Sequence, residues 1–308
     1  MAYRIFIDGK AGTTGLRIYE RLEGRKDLEI LSLSEAERKD TAARKAAINA
    51  ADVVFLCLPD DAAREAVGLA ENPETVVIDA STAHRTAEGW AYGFPELSAA
   101  HREAVRTSKR IANPGCYASG FIALVRPLVT NGFADCDYPF VCHAVSGYSG
   151  AGKKGIAEYE NEARGALYDT PRLYALSLAH KHVPEMMKEC SLTRKPIFNP
   201  YICDYECGMS VSVPIFLPLL KRKTTVGELF DLYATQYAGS RFLSVAKEES
   251  GFISANVLNG TNQMQILVHG NEEQALLTAR FDNLGKGASG AAIQNMNLAL
   301  GLDEGLGL

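Results

Sequence analysis

One stretch of this chain, residues 52–58 (DVVFLCL), constrains the fold more than any other. It is almost entirely apolar and is closed by Pro59. A strand with one wet face alternates apolar and polar residues. A strand without that alternation is covered on both faces, as in parallel sheets sandwiched between helices. The neighbouring segments fit such a sheet. Residues 3–8 (YRIFID), 28–33 (LEILSL) and 75–79 (TVVID) read as further strands. Residues 13–24 have helical spacing, with Leu16, Tyr19 and Leu22 on one side. Residues 40–50 form a helix led by an N-capping Asp40, and residues 60–70 form another. This βαβαβ order predicts a parallel, doubly wound sheet with right-handed crossovers. A short strand near 110–113 then runs into NPGCYASG. A helix over 120–131 follows, which Pro127 should kink or shorten.

The middle of the chain changes character. Residues 140–146 are strand-like and lead into the glycine-rich SGYSGAGKKG. Residues 209–220 alternate but carry two prolines, which predicts an edge or irregular strand. Residues 225–237 read as a helix, and 264–270 with 275–282 as a hairpin across Asn271–Glu273. The pattern suits an antiparallel sheet with helices on one side. The tail, GKGASGAAIQNMNLALG, reads as an amphipathic helix that must pack on something, most naturally on the first domain. The expected fold class is therefore α/β. A Rossmann-like, doubly wound domain (1–117 and 285–308) joins an α+β domain (118–284).

Composition excludes several functions. The 308 residues carry a net charge of −5, with 47% hydrophobic and 22% charged residues. That is a globular balance with no basic surface for nucleic acid or for an anionic membrane. No apolar run approaches the roughly 18 residues of a membrane span. The N-terminus reads as a first strand rather than a signal peptide. Seven cysteines, an odd number scattered along the chain, fit a reducing, cytoplasmic setting in which most thiols are small buried groups.

Four segments carry chemistry. Gly9, Gly12 and Gly15 form G-x-x-G-x-x-G directly after the first strand, followed by the helix that opens with Thr13 and Thr14. Glycines there let the backbone approach a pyrophosphate at a helix N-terminus, where free N–H groups and the helix dipole favour anions. After the second strand stand Ser32 and Ser34, then Arg38 and Lys39, where an NAD site usually has an acid. Hydroxyls and cations suit the 2′-phosphate of NADP, although Glu35 shares the loop. Cys116, at a strand-to-helix junction beside Gly115, is placed to feel the positive end of a helix, which favours the thiolate. His180 and His182 are two residues apart, so on an extended segment both would point one way, with Glu185 to orient one imidazole. Zinc is a rival reading of these three, but the spacing is not that of a metal site, and no metal is expected. Ser146, Gly147 and Lys153 in the second glycine loop, with Arg85 and Asn113 at strand ends, are candidates for holding an anionic substrate. Cys203 and Cys207 have no second pair and are read as structural.

Taken together, GKAGTTG, LCLPDDAAREAV, DASTAHR, YGFPEL, ANPGCYASG, HAVSGYSGAGKK, HKHVPE and NLGKGASGAAIQNMN resemble the N-acetyl-gamma-glutamyl-phosphate reductases, in the shorter of their two branches, over nearly the whole chain. The longer branch has an acidic-aromatic pair where this chain has Ala83 and His84. The resemblance implies NADPH-dependent reduction of N-acetyl-glutamyl 5-phosphate to the 5-semialdehyde in arginine biosynthesis. It also implies Cys116 as nucleophile, His180, His182 and Glu185 behind it, Gly9–Gly15 as the cofactor loop, and a homodimer or homotetramer.

Overall fold

The computed structural model describes residues 2–247 and 251–308. The chain divides into two compact units, residues 1–115 with 288–308, and residues 116–287.

The first unit opens with β1 (Tyr3–Asp8), α1 (Thr13–Leu22), β2 (Leu28–Leu31), α2 (Thr41–Ala50), β3 (Val53–Leu56), α3 (Asp60–Leu69) and β4 (Val76–Asp79). It continues with β5 (Ala91–Tyr92), α4 (Ala99–Thr107) and β6 (Arg110–Ala112). The strands form a six-stranded sheet, ordered β2-β1-β3-β4-β6-β5, in which every pairing is parallel. Alternate residues of β1, β3 and β4 feed two cores. Phe6, Val54, Leu56 and Val77 pack with Ile48 of α2 and with Ala63 and Ala66 of α3. Ile5, Ile7, Val53, Phe55, Val76 and Ile78 pack on the other face with Ile18 and Leu22 of α1 and Val105 of α4. Each fully buried side chain of this size stabilises the unit by about 1.5–3 kcal/mol, which accounts for the unbroken apolar run in β3. Asp40 caps α2 by accepting the Ala43 N–H at 2.7 Å. The face of α1 differs from expectation. Gly15, Ile18 and Leu22 are buried, while Leu16 is 45% exposed. Packing selects the row i, i+3, i+7 from two possible apolar rows.

The second unit comprises α5 (Cys116–Thr130), β7 (Val141–Gly147), α6 (Gly152–Tyr159), β8 (Arg172–Leu173), α7 (Val183–Glu189), β9 (Ile197–Cys203) and β10 (Met209–Phe216). Then come α8 (Val226–Gln236), β11 (Leu243–Ala246), β12 (Met264–Gly270) and β13 (Gln274–Phe281). Its seven-stranded sheet has the order β11-β12-β13-β10-β7-β9-β8. The sheet is mixed rather than antiparallel, because β11 runs parallel to β12 and β7 parallel to β9. Two further expectations are corrected. β10 is an interior strand, paired with β13 over its whole length and with β7 from Met209 to Ser212. Its proline is tolerated because Pro214 falls beyond the β7 pairing, where no donor is required. Helix α5 starts at Cys116, not at residue 120, and runs through Pro127. A proline there leaves the Ala123 carbonyl without its helical donor. The Tyr237 hydroxyl takes that place at 2.7 Å, and the Tyr233 hydroxyl bonds the adjacent Leu124 carbonyl.

The last helix, α9 (Gly290–Ala299), belongs to the first unit. A wider helical turn over 285–289 precedes it. Ala292, Ile293, Met296 and Leu298 join the core that holds Ile5 and Phe55. The helix is buried all round rather than amphipathic, since Gln294, Asn295 and Asn297 are buried as well. Each of these amides is bonded. Asn295 Nδ2 donates to the Gly93 carbonyl at 2.9 Å, Gln294 Nε2 to Glu96 at 2.8 Å, and Arg25 to Asn297 Oδ1 at 2.8 Å. Among the described residues, no helix is long and apolar enough to cross a membrane.

Candidate active site

Two constellations are candidates for carrying the chemistry, one in each unit. In the first unit, the chain leaves β1 at Gly9 with φ +86°, a conformation that side chains resist. A Cβ there would lie 2.3 Å from the Cys57 carbonyl oxygen, and one on Gly15 would lie 2.6 Å from the Gly9 oxygen. Gly12 is the N-cap of α1, its N–H turned back to the Gly9 carbonyl at 2.8 Å. Thr13 Oγ1 is buried and makes no hydrogen bond, and Thr14 shares this first turn. An unsatisfied hydroxyl at a helix N-terminus, beside backbone that only glycine allows, fits a phosphate-bearing dinucleotide.

A cavity of about 230 Å³ adjoins this turn, lined by Asp8, Gly9, Lys10, Ser32, Leu33 and Arg38 among others. It lies at the C-terminal ends of β1 and β2, where ligands bind in sheets of this plan. Ser34 departs from expectation. Its hydroxyl donates to Glu37 Oε2 at 2.6 Å and its N–H to the same oxygen at 2.9 Å, so an acid already occupies it. Arg38 lines the cavity and offers a guanidinium of the kind that suits a 2′-phosphate. Asp8 closes the floor, salt-bridged to Arg44 at 2.9 Å. Burial raises the Asp8 carboxyl above its usual range, against the pull of Arg44.

Arg85 and Asn113, expected to hold substrate, are buried fasteners. Arg85 Nε donates to the Asn113 carbonyl at 3.0 Å and Nη2 to the Ala80 carbonyl at 3.1 Å. Asn113 Nδ2 donates to the Ala288 carbonyl at 3.0 Å, and its Oδ1 accepts from Asn295 at 3.2 Å. A side chain with both amide ends satisfied internally locks the end of β6 to the base of α9.

In the second unit, Cys116 is the first residue of α5, a 15-residue helix buried along most of its length. Gly287 presses against it, since a Cβ there would come 2.9 Å from the Cys116 Cβ. Tyr117, 4% exposed, follows, and its ring lies 5.9 Å from His180, 6.0 Å from His182 and 5.3 Å from Phe198. The two imidazoles meet edge-on at 4.7 Å. Burial holds the Tyr117 and Tyr174 phenols well above their ordinary values, and the nearby Cys116 charge raises both further. The two histidines and the two tyrosines therefore form one cluster of rings, and Cys116 immediately precedes Tyr117 in α5.

The histidines converge by a turn rather than along an extended segment. His182 has helical backbone angles and is the N-cap of α7, and its N–H donates to His180 Nδ1 at 3.1 Å. Glu185 is buried in the first turn of α7, 1% exposed. The second glycine loop is ordered helical structure, a tight turn over Tyr148–Ala151 leading into α6. Gly147 is required by close packing, because a Cβ would lie 2.3 Å from the Glu206 carbonyl oxygen. Ser146 Oγ donates to the Gly147 carbonyl at 3.0 Å. Lys153 is exposed. Sequence reasoning missed the side chain of Tyr117, Tyr174 and the 2%-exposed Lys286, whose ammonium lies 5.6 Å from the Phe242 ring. Residues far apart in the chain make these contacts, and Tyr174 sits in no motif. Among the described residues, no three His, Cys, Asp or Glu side chains form a metal-holding group.

Both units match known families. Residues 4–105 match the semialdehyde dehydrogenase NAD binding domain, and residues 116–283 the dimerisation domain of the same group. N-acetyl-gamma-glutamyl-phosphate reductase 2 of Nostoc is 46% identical over 99% of both chains. The corresponding reductase 2 of Pseudomonas putida is 48% identical over 96% of each. The chain belongs to the N-acetyl-gamma-glutamyl-phosphate reductases. The reductase of Mesorhizobium japonicum, 48% identical, is matched over 98% of this chain and 100% of its own. The fold of this reductase is also that of aspartate semialdehyde dehydrogenase II of Vibrio cholerae, with TM-score 0.75 at 16% identity over 97% and 98% of the two chains. A Candida albicans aspartate semialdehyde dehydrogenase solved with NADP gives TM-score 0.64 at 12% identity, covering 97% of this chain and 98% of its own.

Proposed function

We propose that this protein reduces N-acetyl-L-glutamyl 5-phosphate to N-acetyl-L-glutamate 5-semialdehyde with NADPH, in arginine biosynthesis in the cytoplasm, as a homodimer or homotetramer. One observation carries the reading: in a chain that matches these reductases end to end, the cysteine heads a buried helix whose next residue, Tyr117, packs against two histidines.

Residues 1–115 with α9 hold the cofactor, through the backbone of Gly9–Gly15, the hydroxyl of Thr13 and the charge of Arg38. NADPH bound there supplies a hydride equivalent. In the second unit a histidine of the pair removes the Cys116 proton. The sulfur attacks the acyl carbon, and phosphate leaves with the bonding electrons and takes up that proton. A thioester remains on Cys116. Its reduction gives a thiohemiacetal oxyanion, held by backbone N–H groups at the start of α5. Collapse of the oxyanion breaks the carbon–sulfur bond, releasing the aldehyde and restoring the thiolate. Lys153, on the surface of α6, is a candidate for drawing in the anionic substrate.

The test is NADP reduction with N-acetyl-glutamate semialdehyde and phosphate, for wild type and Cys116→Ser. Phosphate-dependent turnover that vanishes in the variant supports both substrate and covalent route. Turnover on aspartate semialdehyde alone would move the protein to the sister family.

A further inference from the structure

Two hydrogen bonds hold the His180 ring in the second unit, and the direction of one is fixed. The His182 backbone N–H, which can only donate, points at His180 Nδ1 at 3.1 Å. His180 is therefore an acceptor at Nδ1 and carries its proton on Nε2, since a neutral imidazole has one N–H. Nε2 faces the Tyr174 hydroxyl at 3.4 Å. The Tyr117 ring lies 6.4 Å from that of Tyr174, and its hydroxyl donates to the Tyr201 carbonyl at 3.4 Å. The proton on His180 Nε2 therefore goes to Tyr174.

We propose that Tyr174 is a positioning residue for catalysis, which accepts the Nε2 proton of His180, locks that imidazole as the Nε2–H tautomer and so leaves proton transfer to His182. The inference rests on the reading that the histidine pair serves Cys116. His180 has its Nδ1 lone pair taken by the start of α7 and its N–H taken by Tyr174, so it orients its neighbour. The segment between Tyr174 and His180 is built to hold this arrangement. Ala175 and Leu178 have φ of +56° and +55°, which non-glycine residues adopt only when their surroundings demand it. The Leu178 N–H closes the turn on the Ala175 carbonyl at 2.9 Å, and the Tyr174 N–H ties it to the Pro200 carbonyl of β9 at 3.1 Å. The result is a short strap that places a phenol against a histidine six residues later.

The test combines kinetics with imidazole NMR on protein labelled with 15N-histidine, the His180 signals being assigned from His180→Asn. In wild type, His180 should be a single Nε2–H tautomer. In Tyr174→Phe, which removes only the hydroxyl, its N–H signal should shift and exchange faster with water. The kcat should fall about tenfold with KM for substrate and NADPH nearly unchanged, the size typical of losing an orienting partner. An Nδ1–H tautomer in wild type would overturn the proposal whether or not the variant folds. So would an unchanged His180 spectrum in Tyr174→Phe, or a changed one at wild-type kcat. His182→Asn at wild-type kcat would bring down the underlying reading and the proposal with it. Loss of activity in His182→Asn beside an unaffected Tyr174→Phe overturns the proposal alone.

Discussion

The glycine turn after β1 and the cluster around Cys116 are made of different material. The turn is backbone. Gly9, Gly12 and Gly15 lie within seven residues, and their function is to have no side chain. The cysteine cluster is side chains drawn from α5, from the strap after β8 and from the start of α7, within a span of 67 residues from Cys116 to His182. A backbone site tolerates no added atom, whereas a side-chain site depends on which groups remain. Substitutions should therefore separate the two.

The largest effect is expected at the cysteine. Cys116→Ser should lower kcat by about 10³-fold or more, because the covalent route is lost. A fluorescence titration should show NADPH affinity unchanged. If affinity also collapsed, the two constellations would not be separable. The converse change is Gly9→Ala, which meets both a positive φ and the Cys57 carbonyl. It should destabilise the fold by at least about 2 kcal/mol in urea melts, the Cβ penalty plus displacement of backbone. Peptide mapping should still find Cys116 as the first thiol alkylated. Cys57 will not compete, since burial pushes its pKa up to about 12.

A milder change sharpens the cofactor half. Arg38→Ala should reduce the preference for NADPH over NADH about tenfold through loss of one charge-assisted contact, read as the ratio of kcat/KM values. Thioester formation on Cys116 should be untouched. An unchanged ratio would assign the 2′-phosphate to another group, Lys39 or Lys10.

The smallest effect concerns how the tail is fastened. Arg25 bridges Asp27, Asn297 and the Leu306 carbonyl. The Arg25 hydrogen bond holds the Asp27 carboxyl below its usual range. For an acid with a depressed pKa the stabilisation is present above the ordinary carboxylate value and disappears as pH falls through the depressed one. Thermal melts of wild type should therefore lose this contribution on acidification below about pH 4, and Asp27→Asn should flatten that part of the curve. The pair is partly exposed, so the difference will be small.

Much of this molecule is legible in its residue order. The strands of the first sheet are readable because residues covered on both faces leave an unbroken apolar run. The capped start of α2 is readable because an aspartate placed just before a helical stretch satisfies that helix's free N–H groups. Cys116 stands out because its surroundings are polar and glycine-rich. Other features depend on partners far away in the chain. The prolines of residues 209–220 argue for an edge, and only the register shows that Pro214 lies past the β7 pairing. Pro127 argues for a break in α5, and only packing brings Tyr237 to the carbonyl it orphans. Arg85 and Asn113 have the chemistry of anion holders, yet Arg85 Nε and Nη2 and Asn113 Nδ2 donate to backbone carbonyls inside the fold.

What can be read from residue order alone is local: which segments are strands or helices, where glycine is obligatory, and which cysteine stands at a helix start. These depend on propensities and periodicities spanning a few residues. The tautomer of His180, the partners of the buried amides in α9 and the roles of Tyr117 and Tyr174 are settled only when the chain folds. The physical reason is that a polar side chain has several possible bonds of similar strength. Which of them forms is set by the groups that folding brings within about 3 Å of it.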